Sequence, residues 1–193
     1  MSVPTHTQHP HTAHATGVAD SGRWSTHRIA AYALFTALAI VAGFIELPLF
    51  PAAPYLKYDP SGVVALVAGF AYGPHAAAVV SILGFLPHLF TNPWGALMAI
   101  AVALALSVPA AAIHRIKPTP AGAALGILAG SSLALAAAIG GNLLVTPLYA
   151  HMTIAQVVAL IVPVLLPFNL IKLALHALLA LLTRRPILNL LKR

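Results

Sequence analysis

The sequence predicts an all-α membrane protein: a compact bundle of six transmembrane helices, the second of them short, with the N- and C-termini in the cytoplasm. Three observations lead to this fold class. Hydrophobic residues make up 60% of the 193 residues and charged residues only 7%, against about a quarter in soluble domains. The apolar residues occur in stretches of about the length that crosses a bilayer. Lysine and arginine occur mainly at the ends of alternate stretches.

The domain organisation follows from a change in composition near residue 26. Residues 1–26 are polar and rich in threonine and histidine. Such a segment cannot bury enough apolar surface to offset its ordering entropy, which predicts a disordered cytoplasmic tail. Its histidines could bind a metal weakly, but a solvated tail is the favoured interpretation, and no metal site is predicted. Residues 27–193 are expected to form the six-helix membrane domain.

The first apolar stretch, residues 27–47, is long enough to cross a hydrocarbon core that needs about 20 residues. Three prolines then occur within seven residues (Pro48, Pro51 and Pro54), which excludes a regular helix there. Asp59 followed by Pro60 predicts a helix start, with a carboxylate cap and a proline in the first turn. We therefore expect a proline-rich outer loop between the first and second helices.

Five further apolar stretches complete the bundle. They cover residues 60–72, 74–90, 95–114, 120–146 and a last stretch from near Val164 to 183–185. The second crossing is short for a full span. Before the last crossing, Thr153 and Gln156 fit a capping box, which predicts a short helix over about 154–162.

The basic residues orient the bundle. Eight of the ten flank the first helix, the link between the fourth and fifth helices, and the end of the sixth: Arg23, Arg28, Arg115, Lys117, Arg184, Arg185, Lys192 and Arg193. With six crossings all eight lie on one side, which the positive-inside rule assigns to the cytoplasm. The other two are Lys57 in the first outer loop and Lys172 within the sixth helix.

Polar side chains interrupt the last two helices. Asn169, Lys172 and His176 have spacings that place them on one face of the sixth helix. Asn142 lies at a similar depth near the outer end of the fifth helix. Because ionisable groups inside a membrane are costly and by default mark a function, we expect Asn142, Asn169 and Lys172 to line an outward-facing binding pocket. The alternative is interhelical hydrogen bonding, with Lys172 reaching to the interface. For the deeper His176, packing or a hydrogen bond to another helix is favoured.

No constellation of residues predicts catalysis. Asp59 is accounted for as a helix cap, and Glu46 and His88 as interfacial residues. The sequence has no Walker motif, no HExxH, no GxSxG and no cysteine, so no enzyme activity is expected. Its basic residues do not alternate with aromatic residues on one face, so nucleic acid is not an expected partner.

Aromatic and small residues give two further predictions. Tyr58, Phe85 and Tyr149 lie near the outer side and could stack on a ligand ring, although interfacial aromatic belts are the commoner explanation. On the first helix, two pairs of small residues are spaced for close helix packing. The pairs are Ala33 with Ala37 and Ala39 with Gly43. Packing within the bundle and an intersubunit contact both remain open.

Four segments resemble the substrate-binding (S) components of energy-coupling factor (ECF) vitamin transporters, most closely their riboflavin branch. They are ALFTALA (33–39), YLKYDPSGVVALVAGFAYGP (55–74), GNLLVTPLYA (141–150) and PFNLIK (167–172). The second and last segments are the more specific ones. The resemblance covers nearly everything from residue 28 onward.

The resemblance implies a six-helix fold with cytoplasmic termini, in a prokaryotic plasma membrane, and a vitamin pocket near the outer face. It also implies that the Ala33 and Ala37 face contacts a shared transmembrane coupling subunit, which two cytoplasmic ATPases drive. In the riboflavin branch, the residues matching Asn142, Asn169 and Lys172 make polar contacts to the flavin. Riboflavin is therefore the expected cargo, and no cofactor is expected.

Two segments depart from the riboflavin pattern. The third helix is expected to carry a Lys-Asn pair before a Leu-His segment, but residues 84–88 read GFLPH. The fourth is expected to carry a glutamate and an asparagine, but residues 95–100 read GALMAI. The expected function is a riboflavin-binding subunit. An S component for another vitamin and a self-sufficient secondary transporter are the alternatives.

Overall fold

A computed structural model describes residues 25–50 and 56–190 of the chain, and most of the tail predicted over residues 1–26 lies outside them. The helices in the described part are α1 (Thr26–Gly43), α2 (Ser61–Tyr72), α3 (Pro74–Phe85), α4 (Pro93–Ile116), α5 (Pro120–Ala150), α6 (Ile154–Leu160) and α7 (Leu166–Leu190). A 3-10 helix (Leu86–Phe90) extends α3, and a π-helical turn (Ile161–Leu165) joins α6 to α7. Strands β1 (Leu47–Pro48) and β2 (Lys57–Tyr58) form an antiparallel pair between α1 and α2.

Among the described residues, six helical segments are apolar enough to lie in a membrane. Four of them are also long enough to cross one: α1, α4, α5 and the continuous rod from α6 through α7. Helices α2 and α3 have 12 residues each. That corresponds to about 18 Å at 1.5 Å per residue, against a hydrocarbon core of about 30 Å. The second helix is thus short, as predicted. The third covers the predicted residues 74–90, as α3 followed directly by the 3-10 helix.

Several predicted helix ends are wrong. The first helix ends at Gly43 rather than at residue 47, because the chain turns there and enters β1. No break separates α6 from α7; a π-helical turn joins them, which accommodates prolines that lack an N–H. The last helix continues past residue 185 to Leu190, because arginine marks the membrane boundary but is itself a good helix former.

Local capping signals are partly confirmed. Thr153 and Gln156 form the predicted capping box at the start of α6. Asp59 does accept a hydrogen bond at the start of α2, from the Ser61 backbone N–H at 3.2 Å. However, α2 begins at Ser61 with Pro60 as its N-cap, so the proline precedes the helix instead of occupying its first turn.

Glycines bring α4 and α5 into close contact. A Cβ atom at Gly126 would lie 2.5 Å from the Ala110 carbonyl oxygen, and one at Gly130 would lie 2.1 Å from the Leu106 carbonyl oxygen. Only glycine permits this approach, in the manner of small-residue packing in lipid. The repeat of glycine at four-residue spacing in α5 is a signal that the sequence analysis missed.

The structure separates the two small-residue pairs of α1. Ala39 is 2% exposed, and Gly43 is buried too. A Cβ atom at Gly84 of α3 would lie 2.9 Å from the Ala39 Cβ. Ala39 and Gly43 therefore pack within the bundle. Ala33 and Ala37 are exposed, on the opposite face of the same helix.

Candidate functional site

A cavity of about 450 Å³ lies at the end of the bundle that carries the β1–β2 hairpin. We call it the hairpin-end cavity. Residues from the end of α1, the hairpin, α3, the start of α4, α5 and α7 line it. The lining side chains discussed below are Glu46, Lys57, Asp59, Phe85, His88, Trp94, Met98, Asn142, Thr146, Tyr149, Asn169 and Lys172. The predicted pocket between the fifth and sixth crossings therefore extends across to α1, α3 and α4.

Lys172 forms an ion pair at the wall of this cavity. Its Nζ donates to Asp59 Oδ2 at 2.9 Å, and the two side chains are only 16% and 11% exposed. Asp59 also accepts from the Ser61 hydroxyl. The sequence analysis assigned Asp59 a capping role alone and missed this pairing across 113 positions. A ligand in the cavity therefore meets a paired ammonium group.

His176 fixes the backbone next to this ion pair. Its Nε2 lies 2.9 Å from the Asp59 carbonyl oxygen, which can only accept, so Nε2 carries the hydrogen. A Cβ atom at Gly62 would lie 2.7 Å from His176 Cε1, so the ring fits only against glycine. His176 is 3% exposed and does not line the cavity, in agreement with the packing role that the sequence favoured.

Both predicted asparagines line the cavity. The Asn142 amide donates to the Ala138 carbonyl oxygen at 2.7 Å and accepts from Thr146 Oγ1 at 2.9 Å. The Asn169 amide donates to the Leu165 carbonyl oxygen at 2.8 Å. An amide has two N–H donors and an oxygen with two lone pairs. Each asparagine is thus oriented by its own helix and keeps donor and acceptor capacity for a ligand.

The predicted aromatic residues divide between two environments. Phe85 and Tyr149 line the cavity together with Trp94. Tyr58 does not line it; its ring is 5% exposed and lies 5.3 Å from the His176 ring. The structure therefore places Phe85 and Tyr149 where they can contact a ligand, and Tyr58 in the packing behind Asp59.

The hairpin carries a second, more exposed ion pair. Lys57 pairs with Glu46, and both side chains are nearly half exposed. His88, which the sequence treated as interfacial, stacks on Phe44 with ring centroids 4.7 Å apart, and its Nε2 lies 3.2 Å from the Gly43 carbonyl oxygen. These contacts hold the end of α1 against the 3-10 helix, beside the cavity.

Thr146 and Met98 line the cavity, and the sequence analysis predicted neither of them as a site residue. Thr146 orients Asn142, and its spacing of four residues on the same helix was the available signal. Met98 lies so close to Gly141 that a Cβ atom there would be 2.4 Å from the sulfur. Glycine at this position leaves room for the Met98 side chain of α4.

The part of the chain that the structure describes contains no group of three or more His, Cys, Asp or Glu side chains arranged to hold a metal. The histidine-rich segment of the predicted tail lies outside the described residues. The lining side chains of the hairpin-end cavity thus provide oriented amides, hydroxyls, an imidazole, aromatic rings and paired charges.

Comparison with known proteins identifies the family. The family model for the substrate-specific component of ECF transporters matches residues 27–183. A riboflavin transporter of Staphylococcus aureus (strain TCH60), RibU, is 29% identical over 175 residues, which are 86% of this chain and 93% of that protein. A solved structure of the S component of a bacterial ECF transporter superposes with a TM-score of 0.74 at 27% identity, covering 86% of this chain and 98% of its own. The resemblance seen in the sequence is confirmed: the chain belongs to the substrate-specific components of ECF transporters, and it is a transporter component rather than an enzyme.

Proposed function

We propose that this S component binds riboflavin, or an uncharged vitamin of similar shape, in the hairpin-end cavity. The observation that carries the proposal is the convergence of Asn142, Asn169 and the Lys172–Asp59 pair on one cavity. Its volume of about 450 Å³ falls within the range of about 300–1,000 Å³ that small-molecule sites occupy. The proposed direction of binding is from the outer face of a prokaryotic plasma membrane.

The polar groups of the cavity match a flavin ring. The imide edge of a flavin presents an acceptor, a donor and a second acceptor in a row. Asn142 and Asn169 can supply both donors and acceptors, and their helices orient them before a ligand arrives. Phe85, Trp94 and Tyr149 add flat apolar surface for the ring. Few fixed polar groups in a largely apolar cavity are typical of small-molecule sites.

The paired charges favour an uncharged ligand. Both lysines that line the cavity already have carboxylate partners, Asp59 for Lys172 and Glu46 for Lys57. A charged ligand would have to break the more buried of these pairs or remain unpaired itself, and both outcomes are unfavourable in a poorly hydrated site. We therefore expect discrimination against phosphorylated and carboxylated vitamins.

One observation favours a second vitamin as the alternative cargo. Phe85 and Met98 line the cavity in the two segments where riboflavin binders are expected to be more polar. These apolar side chains would suit a ligand with fewer hydrogen-bonding groups than riboflavin. The fold and the S-component role are the same under this alternative.

Uptake would require partners. We propose that a shared transmembrane coupling subunit and two cytoplasmic ATPases drive transport, with the exposed Ala33 and Ala37 face of α1 against the coupling subunit. Support comes from the exposure of this pair, while Ala39 and Gly43 of the same helix are buried against the bundle. The described cations other than Lys57 and Lys172 flank the opposite end of the bundle, which supports cytoplasmic termini.

The test is to purify the protein in mild detergent without added vitamin and to record its absorbance and the mass of any released small molecule. We expect a yellow protein that releases riboflavin. A different vitamin would overturn riboflavin as the cargo and establish the alternative. If the protein is colourless, a thermal-shift screen across uncharged and charged vitamins decides: no stabilisation by any uncharged vitamin would contradict the proposal.

A further inference from the structure

A second cavity lies at the end of the bundle opposite the hairpin. Its volume is about 800 Å³, and it is lined by the start of α1, the end of α2, the start of α3 and the end of α4. We call it the opposite-end cavity. The hairpin-end cavity touches the end of α1 and the start of α4. The two cavities therefore share helices but lie near opposite termini of them.

Cations and proton donors line this second cavity. Its polar lining side chains are Arg28, Tyr32, Tyr72, His75, His114 and Arg115. Helix α3 begins there with Gly73 as its N-cap, and no side chain caps its start. The positive end of a helix dipole thus adds to the arginine charges. Both features favour an anion with several acceptor oxygens.

A buried arginine behind this lining gives an independent indication. Arg184 is 6% exposed, and among the described residues its side chain hydrogen-bonds only to His114, with Nη1 3.4 Å from Nε2. His114 is itself 6% exposed and lines the cavity. Charged residues placed only to orient a membrane protein stay at the hydrated surface. A buried guanidinium normally has an anionic partner.

In the described part of the chain, both carboxylates already have lysine partners. Of its three acidic residues, Glu46 and Asp59 are paired with lysines at the hairpin end, and Asp20 lies outside the described residues. No described carboxylate therefore neutralises this cluster, which favours an anion as its ligand. The cluster also adjoins exposed apolar surface, because Ile29 and Ile116, next to the two lining arginines, are 51% and 85% exposed.

We propose that the opposite-end cavity is a binding site for a phosphate-bearing anion, held by Arg28, Arg115 and His114, with Arg184 behind His114. The phosphate can belong to an anionic lipid headgroup, whose chains would follow the exposed isoleucines, or to a free phosphate compound. The planar guanidinium group of arginine can donate two parallel hydrogen bonds to phosphate oxygens, and tyrosine hydroxyls add neutral donors. This site is separate from the vitamin site and does not depend on which vitamin is transported.

The experiment compares three probes on the full chain in neutral detergent: phosphatidylglycerol, phosphatidylcholine and inorganic phosphate. Native mass spectrometry counts bound molecules, and a thermal shift reports stabilisation. The test variant is Arg28→Gln/Arg115→Gln. The matched control is Lys117→Gln/Arg185→Gln, which removes the same charge from exposed positions outside the lining. Circular dichroism and gel filtration check that each variant is folded. If a double variant does not fold, the single variants Arg115→Gln and Lys117→Gln are compared instead.

We expect an anionic probe to bind the wild type and the control alike, and to bind the test variant at least about tenfold more weakly, because the variant lacks two charged hydrogen-bond donors. Binding of phosphatidylglycerol alone identifies a lipid headgroup. Binding of inorganic phosphate that displaces the lipid identifies a free phosphate compound. The proposal is overturned if phosphatidylcholine binds as well as phosphatidylglycerol, if both variants lose equal affinity, or if neither anionic probe binds.

Discussion

The hairpin-end and opposite-end cavities lie between shared helices, yet their charges have different partners. At the hairpin end, Lys172 and Lys57 each pair with a carboxylate. At the opposite end, Arg184 is buried as deeply as Asn169, 6% exposed in each case, but it contacts a histidine. The chain has only three acidic residues. The two that the structure describes both lie at the hairpin end.

This difference supports the ligand proposed for each cavity. In the hairpin-end cavity the charges are paired, so the uncharged polar groups and the rings would select the ligand. Such a lining suits a neutral molecule. In the opposite-end cavity the cations have no carboxylate partner among the described residues. The resulting positive potential attracts an anion. The same arginines are among those that the positive-inside rule predicts on the cytoplasmic side, so the proposed anion site and the predicted orientation rest on one set of residues.

The largest expected effect comes from breaking the buried ion pair. Lys172→Met leaves the Asp59 carboxylate without its cation, and we expect a loss of about 3 kcal/mol in the free energy of unfolding, as for other buried pairs that lose one partner. Asp59→Asn/Lys172→Met should recover part of this loss. Denaturation in detergent measures both, and equal losses from the single and double variants would contradict the coupling.

Removing an amide from the hairpin-end cavity should have a smaller effect and act on binding. Asn169→Ala should weaken vitamin binding by about 1–2 kcal/mol, because a ligand group loses its hydrogen-bond partner in a desolvated site. Asn189→Ala is the control, since Asn189 is exposed near the end of the same helix. Titration by flavin fluorescence quenching provides the affinities, and identical values for both variants would remove Asn169 from the site.

The charge balance of the hairpin-end cavity can be tested with ligands alone. Riboflavin and its 5′-phosphate share a ring but differ in charge. We expect the phosphate ester to bind about tenfold more weakly, or about 1.4 kcal/mol, because both lysines of the cavity are paired. Competition experiments measure the ratio. Tighter binding of the ester would show that an ion pair opens to receive it.

The smallest effect is expected where a cation lacks a carboxylate. Arg184→Met removes a buried guanidinium but keeps an apolar side chain, so in phosphate-free neutral detergent we expect a change of at most about 1 kcal/mol in unfolding free energy. This contrasts with Lys172→Met, which strands a partner. A loss as large as that of Lys172→Met would reveal a carboxylate partner for Arg184, and the two ends would then be alike.

The local features of the fold were largely predictable. Helical spacing placed Asn169, Lys172 and His176 on one face, and the structure keeps the first two in the cavity with Asn142. The capping box at Thr153 was confirmed as well. These predictions succeeded because helix periodicity and capping depend on residues within a few positions of one another.

The predictions that failed depended on distant or irregular features. The helix end at residues 183–185 was wrong because a change from apolar to charged residues marks the membrane surface, whereas the helix continues while its backbone bonds are satisfied. The continuity of α6 with α7 was missed because prolines usually interrupt helices, and the π-helical turn that accommodates them has no clear sequence pattern.

By itself, the sequence determined that this chain is a helical membrane protein, which polar residues interrupt its apolar helices, and which family it resembles. Only the tertiary structure decided that Lys172 pairs with Asp59, that Ala33 and Ala37 are exposed while Ala39 and Gly43 are buried, and that Arg184 is buried against His114. The physical reason is that hydropathy and periodicity are summed along the chain. The partner of a charge, by contrast, depends on how helices far apart in sequence pack against one another.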